Sequence, residues 1–370
     1  MKHLYAALAG GCLLAPSAFG TTTSGNTLYV ANNGVDSPTC GAEASPCRSI
    51  SQGIANAVAG DTLLVKPGRY GDLNFDGVLA SPGEESGPLT PGSIGGVRVT
   101  KQLTILSTAG AEATVIDVNG GSSATVELAA DNVRFGGKGA GFTVLGGQNY
   151  GLLADRSSNA VISGNLARNS NFAGFMLFSQ GTLEASNNTA TGSRSTGFWI
   201  VTNPTSSAVV SNNFAFGNQT GIAAGGNGPI RLTGNSVSGN EMGMAINYGP
   251  TRVAQNQIVQ NRTGMMINGY SDDGGVDAPL VTHNNIVGNR QQGIYVLPGP
   301  PGNKLKIREN NMFGQDGCAL GSQAGQVVDA RNNYWGAATG PSFQDPADAD
   351  CSAPGDTLTT PFATSEFFVR

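Results

Sequence analysis

Two stretches that follow each other in the middle of the chain decide the fold: IRLTGNSVSGNEMGMAI (residues 230–246) and TRVAQNQIVQNRTGMMI (residues 251–267). Aligned without a gap, they place Asn235 over Asn256 and Gly243 over Gly264, and their apolar residues also coincide. A segment that recurs at a fixed spacing indicates a structural unit that packs against its own copies. The sequence therefore predicts a repeat protein.

The repeat extends in both directions from this pair, with a period near twenty-two residues. The spacings between successive Asn anchors are 23, 25, 22, 21, 28, 26 and 22. A nearly constant period with insertions in one phase is typical of a solenoid, in which each coil buries its apolar side by stacking on its neighbours. The predicted anchors are Asn165, Asn188, Asn213, Asn235, Asn256, Asn284, Asn310 and Asn332.

The coils are predicted to be built from strands. Gly (55 residues) and Asn (33 residues) make up nearly a quarter of the chain, and both are poor helix formers that tolerate positive φ in tight turns. Within each repeat the apolar residues alternate over short runs, which indicates three short strands per coil. The prediction is an all-β, right-handed parallel β-helix (a β-solenoid) in which the anchors form a buried Asn ladder. A Gly opens the last strand of each predicted coil: Gly174, Gly197, Gly221, Gly243, Gly264, Gly293 and Gly317.

Composition excludes several other classes of protein. The chain has no Gly-X-Y period, which excludes collagen, and its evenly spaced apolar residues argue against disorder. The formal net charge is −5, with 25 acidic and 20 basic residues and no basic run. We therefore expect no nucleic-acid partner.

The first twenty residues have the pattern of a cleavable export signal. Lys2 and His3 are followed by an apolar run, residues 4–15, that is too short to span a bilayer, and small residues precede an expected cleavage after Gly20. We therefore expect a secreted or periplasmic protein with no transmembrane segment. A lipoprotein anchored at Cys12 is the alternative.

Four cysteines remain after removal of the signal, an even number that suits an oxidising compartment. Cys40 and Cys47 are predicted to close a small loop, and Cys318 and Cys351 are the second candidate pair. Strand alternation predicts that Cys318 points into the core. Its pairing with Cys351 therefore requires the terminal segment to tuck over the last coil.

Both ends of the chain resemble secreted pectate-lyase-like β-helix proteins. The resemblance rests on the segment from Leu28-Tyr29-Val30 through Cys47-Arg48-Ser49-Ile50 to residues 59–70 (AGDTLLVKPGRY), and on Asn332-Asn333-Tyr334-Trp335-Gly336 near the other end. It covers about residues 28–363 and concerns mainly the fold. The resemblance implies a short capping helix over residues 50–58, with Ile50, Ile54 and Val58 on one face, that plugs the first coil.

The predicted organisation is a single column of coils with both ends covered. It comprises a signal peptide (1–20), an N-terminal strand with the Cys40/Cys47 loop and capping helix (21–61), the parallel β-helix (62–344) and a C-terminal capping segment (345–370). Covered ends are expected, because an open strand edge pairs with other molecules.

The resemblance also implies that polysaccharide binds along the outer face of the strand after the polar turn. In the pattern Gly-apolar-X-apolar, X points outward. Trp199 and Tyr295 lie in this outward column, and their rings are suited to stacking on sugars. The alternative, that neighbouring loops cover these side chains, remains open. The predicted column is uncharged and consists of Met176, Trp199, Ala223, Ala245, Met266, Tyr295 and Ala319.

The two sides of this column carry polar candidates. The preceding turns contribute Arg194, Glu241, Arg262 and Arg290 as substrate-binding or catalytic residues. On the other side, the longest insertion between anchors contains Asn268 and Tyr270, followed by three carboxylates. Hard cations prefer several oxygen ligands, so Asp272, Asp273 and Asp277 are a candidate Ca²⁺ site. A glycosidase acid and base, or a merely solvated loop, are the alternatives.

If the protein is a polysaccharide lyase, its sequence supplies only part of what this chemistry needs. A polyuronate lyase neutralises the substrate carboxylate and removes the C5 proton with a basic side chain. No Lys lies between Lys138 and Lys304, and His283 falls at the Asn turn on another face. The remaining candidates are Arg262 or Arg290 with Tyr270, Tyr248 or Tyr295. The Asp-Pro-His-Asp signature of mannuronan epimerases is absent, because Ala347 follows Asp345-Pro346.

Two functions follow from these residues. The first is an exported protein, expected to be a monomer, that acts on an acidic extracellular or cell-wall polysaccharide by β-elimination. The alternative is a non-catalytic β-helix that binds glycan or protein through the Trp199/Tyr295 face. Fold alone does not choose between them.

Overall fold

The protein is a right-handed parallel β-helix with three sheets, as the repeat predicts. This computed structural model describes residues 25–79, 81–87, 94–247, 249–268, 278–298, 305–325, 327–342, 349–352 and 355–369, except the side chain of Arg156. Each coil contributes one strand to each sheet, and neighbouring strands pair in parallel. A complete coil runs from Ala173–Ser179 through Thr182–Ser186 to Thr189–Thr191.

Three sheets wrap around the core. Sheet 1 has thirteen strands, namely Thr27–Val30, Thr62–Val65, Thr104–Ser107, Arg134–Phe135, Ala160–Ser163, Thr182–Ser186, Ser207–Ser211, Ile230–Thr233, Thr251–Ala254, Leu280–Thr282, Leu305–Arg308, Val328–Asp329 and Thr357–Leu358. Sheet 2 has ten, namely Gly95–Val99, Ala124–Leu128, Tyr150–Ser157, Ala173–Ser179, Thr196–Thr202, Thr220–Gly226, Met242–Asn247, Thr263–Asn268, Gln292–Val296 and Leu320–Ser322. Sheet 3 has ten, namely Gly68–Gly71, Thr114–Asp117, Thr143–Leu145, Leu166–Arg168, Thr189–Thr191, Phe214–Phe216, Ser236–Ser238, Gln257–Val259, Asn285–Val287 and Asn311–Phe313.

The core is a continuous apolar column inside the three sheets. Alternate residues of each strand point inward, so like residues stack from coil to coil. Phe175 and Phe198 stack with ring centroids 4.7 Å apart, and both side chains are fully buried. Ile222, Met244, Met265 and Ile294 continue this column, and Val253 and Ile286 belong to the inward columns of sheets 1 and 3. Burial of these apolar side chains is the main driving force for stacking.

The predicted Asn ladder lies at the tight turn between sheets 1 and 3. The Oδ1 of Asn235 accepts hydrogen bonds from the backbone N–H and the side-chain amide of Asn213, both at 3.0 Å. The side-chain amide of Asn235 donates to the Oδ1 of Asn256 and to the carbonyl of Val210, both at 2.9 Å. Every polar atom of this fully buried side chain is therefore satisfied.

The structure corrects the last anchor and adds a second ladder. Asn310 donates to Asn333 rather than to the predicted Asn332, which instead adopts a left-handed conformation with φ 61°. Five residues after each central anchor, a second buried series of amides stacks in the same way at the turn between sheets 3 and 2. It runs through Asn218, Asn240, Asn261, Asn289 and Gln315.

A helix covers the first coil, as the resemblance implies. Helix α1 (Ile50–Asn56) begins at the N-cap Ser49, whose hydroxyl accepts from the N–H of Gln52. Ile50 and Ile54 are buried, but the predicted third member of the face, Val58, is 60% exposed. The helix ends earlier because Ala57 is extended and the N–H of Val58 bonds the carboxylate of Asp61. Among the described residues, no helix is long and apolar enough to cross a membrane.

The other end is closed by segments from three places. Tyr334 bridges to the last strand of sheet 3, Asp350 to that of sheet 2, and Thr357–Leu358 adds to sheet 1. Both predicted disulfides form, Cys40–Cys47 and Cys318–Cys351. The prediction that Cys318 points inward is wrong, because this side chain is half-buried at the surface, within reach of the closing segment.

The ladder predicts a large loss of stability from a single substitution. In Asn235→Ala, the backbone N–H of Asn213 and the carbonyl of Val210 lose their partners inside the protein. Because unsatisfied buried groups cost about 1–3 kcal/mol each, we expect the free energy of unfolding to fall by about 3 kcal/mol or more, measured by denaturant unfolding.

Asn212→Gly is the matched control, because Asn212 precedes the ladder residue, is exposed and has φ 54°, which Gly adopts without strain. We expect its effect to stay within about 0.5 kcal/mol. Equal losses in the two variants would contradict the role assigned to the ladder.

Candidate functional site

The outer face of sheet 2 carries one continuous line of side chains. The strand register aligns them coil by coil, in the order that the sequence predicts. Coils stack about 4.8 Å apart, so the four steps from Trp199 to Tyr295 span about 19 Å. We call this line the central column; its predicted members that align are Met176, Trp199, Ala223, Ala245, Met266 and Tyr295.

The prediction that Ala319 is the last member of the central column is wrong. Ala319 is fully buried, and Tyr295 pairs instead with Gly321. The prediction took Gly317 as the residue that opens the last strand, but Ala319 takes the place that Gly293 holds in the coil before: a Cβ on Gly264 would meet the Gly293 carbonyl, and one on Gly293 would meet that of Ala319. Both Gly293 and Ala319 lie nine residues after their ladder Asn, so the predicted phase of the last strand is wrong by two positions.

The central column also continues toward the N-terminal end, where it becomes charged. Leu153 aligns with Met176, Glu127 with Leu153 and Arg98 with Glu127. Glu127 is almost fully buried, accepts hydrogen bonds from the N–H groups of Ile94 and Gly95, and lies 3.3 Å from the Nε of Arg98. This carboxylate holds the first strand of sheet 2 in place. The sequence analysis did not extend the column this far, although the alternation within Val97-Arg98-Val99 is a pattern that places Arg98 outward.

Three aromatic rings form a platform on this face, which we call the aromatic platform (Tyr150, Phe172 and Trp199). The rings of Phe172 and Trp199 stack with centroids 5.1 Å apart, and Tyr150 meets Phe172 edge-on at 5.8 Å. The rings pack on Leu153 and Met176 in an apolar cluster outside the main core. All three remain half-buried, so no described residue covers them completely. Trp199 was predicted here, whereas Tyr150 and Phe172 were missed.

The turns beside the central column carry a line of charges. The N–H of Arg262 bonds the carbonyl of Asn240 and that of Arg290 bonds Asn261, which stacks these arginines on consecutive coils. Glu241 lies one coil earlier and pairs with Arg262 at 3.2 Å, with both side chains more than half exposed. Exposed pairs of this kind contribute little to stability, so these side chains are available to a ligand. Arg194 occupies the same turn two coils before Glu241.

The opposite side of the column is lined by amides. Asn268 donates to Asn247 across adjacent coils at 2.7 Å, next to half-buried Met266. The hydroxyl of Tyr295 accepts a hydrogen bond from Gln323 at 3.3 Å. The remaining predicted residues lie outside the described part of the chain, so their roles and the Ca²⁺ site stay predictions: Tyr248, Tyr270, Asp272, Asp273 and Asp277.

Two other groups carry metal-ligating atoms. Asp36 lies close to Cys40 and Cys47, but both sulfurs are joined in the disulfide and provide no thiolate. His283 has φ 55° in the turn before Asn284 and lies 3.3 Å from Glu309, both on the surface and away from sheet 2. Neither group adds to the candidate site.

Fold and surface together define a right-handed β-helix protein with an aromatic-lined outer sheet. Residues 113–258 and 203–334 match the family described as "Right handed beta helix region". These matches cover more than half of the chain, and the protein belongs to this family.

Solved structures share this fold at low identity. The chain is similar to the A-module of the Azotobacter vinelandii mannuronan C-5 epimerase AlgE4, with 16% identity, a TM-score of 0.56 and coverage of 83% of this chain and 89% of that one. It is also similar to pectate lyase Pel9A, with 16% identity, a TM-score of 0.44 and coverage of 92% and 80%. At these identities the likeness shows the fold alone. No curated protein matches the sequence.

Adjacent residues on one strand test which face is outward. Phe198 is fully buried, so Phe198→Ala is expected to lower the free energy of unfolding by about 3–5 kcal/mol. Trp199→Ala removes only a half-exposed ring stacked on Phe172, and we expect a loss of about 1 kcal/mol. Denaturant unfolding of the two variants measures the difference.

Tryptophan fluorescence provides an independent check. The second tryptophan, Trp335, is fully buried, so acrylamide is expected to quench mainly Trp199, and Trp199→Ala should remove the quenchable emission. A Trp199→Ala variant as unstable as Phe198→Ala would show that Trp199 belongs to the core.

Proposed function

We propose that the protein is exported and binds a polysaccharide chain along the outer face of sheet 2. The observation that carries this proposal is the alignment of the aromatic platform with the central column, in which Trp199, Met266 and Tyr295 are partly exposed while the small Ala223 and Ala245 between them are buried. Aromatic faces bind the C–H surfaces of sugar rings, and a track about 19 Å long from Trp199 to Tyr295 suits a chain rather than a single sugar.

The polar sides of the track supply contacts for the hydroxyl and carboxyl groups of the sugars. Asn247 and Asn268 offer amides on one side, and Arg262 and Arg290 offer guanidinium groups on the other. Guanidinium groups bind carboxylates in a two-point geometry, which favours an acidic glycan. The similarity in fold to an enzyme that acts on mannuronan supports the same substrate class.

Two disulfides support a location outside the reducing cytoplasm. The export signal proposed from residues 1–20 and its cleavage after Gly20 lie outside the described residues and remain part of this proposal.

Binding without catalysis is the function that the site supports best. In the described part of the groove, Arg262 is paired with Glu241 and the hydroxyl of Tyr295 is engaged by Gln323. Arg262 is more than half exposed and Tyr295 is partly exposed, so neither side chain lies in the buried, desolvated environment typical of a proton-abstracting base.

A lyase acting by β-elimination is the second candidate. It is favoured by the stacking of Arg262 and Arg290 on consecutive coils, which places two cations at the spacing of adjacent acidic sugars beside the column of Tyr295. In this version the arginines neutralise the substrate carboxylate, and a Tyr transfers the proton.

The binding proposal predicts a specific loss of affinity. Isothermal titration of the purified protein with a panel of linear acidic and neutral oligosaccharides identifies a ligand. Trp199→Ala and Tyr150→Ala are each expected to weaken its binding about tenfold, because each removes a stacking surface. Phe214→Ala is the matched control, since Phe214 is an aromatic residue on sheet 3 that is 55% exposed. Unchanged affinity in Trp199→Ala would contradict a sugar track on sheet 2.

The lyase candidate predicts an unsaturated product. Alginate, pectate and glycosaminoglycans, each with and without a chelator, are incubated with the protein while ultraviolet absorbance is followed. If the candidate is right, absorbance rises and Arg262→Ala lowers the rate at least tenfold at unchanged stability. Arg168→Ala, an exposed arginine on sheet 3, is expected to keep the rate. No absorbance change on any of these glycans excludes this chemistry for them.

A further inference from the structure

Sheet 1 carries a second line of aligned side chains, on a different face from the aromatic platform. Its strands align Arg231 with Arg252, Arg252 with Leu280, and Leu280 with Lys306. The three cations are exposed and lie within three steps of about 4.8 Å. This line of positive charge is about 14 Å long, whereas the chain as a whole has a net charge of −5. The local electrostatic potential there is therefore opposite in sign to that expected from the net charge.

These cations have no partner within the described protein. No carboxylate among the described residues lies within ion-pair distance of Arg231, Arg252 or Lys306, although five other cationic residues of the same structure have one. Beyond Lys306 the column reaches Asp329, which is already held by Arg308 and Arg331. The carboxylate at that end is therefore not available to neutralise the line.

A groove runs beside the cations. Two adjoining clefts of about 230 Å³ and 200 Å³ share Pro250 and Arg252, so they form one continuous depression over five coils. Prolines stand at the start of successive strands, at Pro229, Pro250 and Pro279, and form its apolar edge. Proline has no N–H, so Pro229 and Pro250 accept hydrogen bonds from Ala208 and Ile230 but donate none to the pairing at this edge.

We propose that this basic groove (Arg231, Arg252, Lys306 and the three prolines) is a second binding site, specific for a linear anionic glycan. An apolar ledge beside regularly spaced cations matches a chain whose sugars present a C–H face on one side and a carboxylate or sulfate on the other. Arginine suits both anions, because its guanidinium group binds them through two hydrogen bonds. The site lies on another sheet and is independent of the track on sheet 2.

Nucleic acid is the other linear polyanion, and the structure disfavours it. Single-stranded nucleic acid is held by aromatic side chains on which bases stack, together with a positive groove. The described lining of the basic groove has prolines, Val209 and Leu280 but no aromatic side chain.

The test uses fluorescently labelled oligosaccharides and the full-length protein. The probes are an oligogalacturonate of about ten sugars, a sulfated oligosaccharide and a neutral oligosaccharide of similar length, with a single-stranded oligonucleotide as the competing polyanion. We expect both anionic glycans to bind and their affinity to fall as salt is raised, because exposed charges are screened within about 10 Å at 0.1 M salt. The glycan bound more tightly identifies the preferred anion.

The decisive variant is Arg231→Gln/Arg252→Gln/Lys306→Gln. We expect it to weaken binding of the anionic oligosaccharide about tenfold or more in the Trp199→Ala background, where the sheet 2 track is impaired. The matched control is Lys138→Gln/Arg168→Gln, which removes exposed cations outside the sheet 1 line and is expected to change affinity less than about twofold. Arg252→Glu alone provides a single-site version should the triple variant fold poorly.

Three results would overturn the proposal. The first is equal weakening in the groove variant and the control variant, which would indicate a general charge effect. The second is tighter binding of the oligonucleotide than of either anionic glycan, with the same sensitivity to the groove variant. The third is no binding of any anionic glycan in the Trp199→Ala background at low salt. None of these results bears on Trp199-dependent binding at sheet 2, so the two proposals fail separately.

Discussion

Buried amide hydrogen bonding at the turns is the interaction on which this structure depends. At each coil the chain turns sharply in the interior, where backbone N–H and C=O groups have no water, and an unsatisfied group there is costly. The stacked amides of the two ladders bond the backbone of the preceding coil and the amides of the coils on both sides. One side chain therefore closes the turn and fixes the distance and alignment to its neighbour.

This alignment converts a repeated sequence into straight lines of chemistry. Because each turn is locked, residues at one phase of the repeat stand directly above one another on all three sheets. Trp199 lies in line with Tyr295, and Arg231 lies in line with Lys306, because the locked turns hold the coils in register. The faces differ because each position of the repeat forms its own line of side chains. The line on sheet 2 is apolar and aromatic, and the line on sheet 1 has cations beside prolines.

Sequence reasoning succeeded where the repeat is regular and failed where a coil departs from it. The central column was predicted from Met176 to Tyr295, because a Gly opens the sheet 2 strand in each of those coils. In the last coil Ala319 holds this position, and the choice of Gly317 instead put Ala319 and Cys318 in the wrong phase. The second ladder was missed although Asn240 follows Asn235 by the same five residues as Asn261 follows Asn256. The spacing was visible, but a polar turn offered a sufficient explanation for it.

The sequence by itself determined the coil, its period, the buried ladder and the direction in which each strand side chain points, because all of these follow from local alternation and turn chemistry. Only the tertiary structure decided which side chains share a surface patch. Phe172 lies in a turn, and its contacts with Tyr150 of the coil before and Trp199 of the coil after depend on how this turn bends over the sheet. The same holds for the basic groove, whose prolines and cations meet only when four coils are stacked. Contacts between coils depend on the path of the turns and on side-chain direction together. The linear pattern specifies side-chain direction within a strand, but not where a turn places a side chain relative to the next coil.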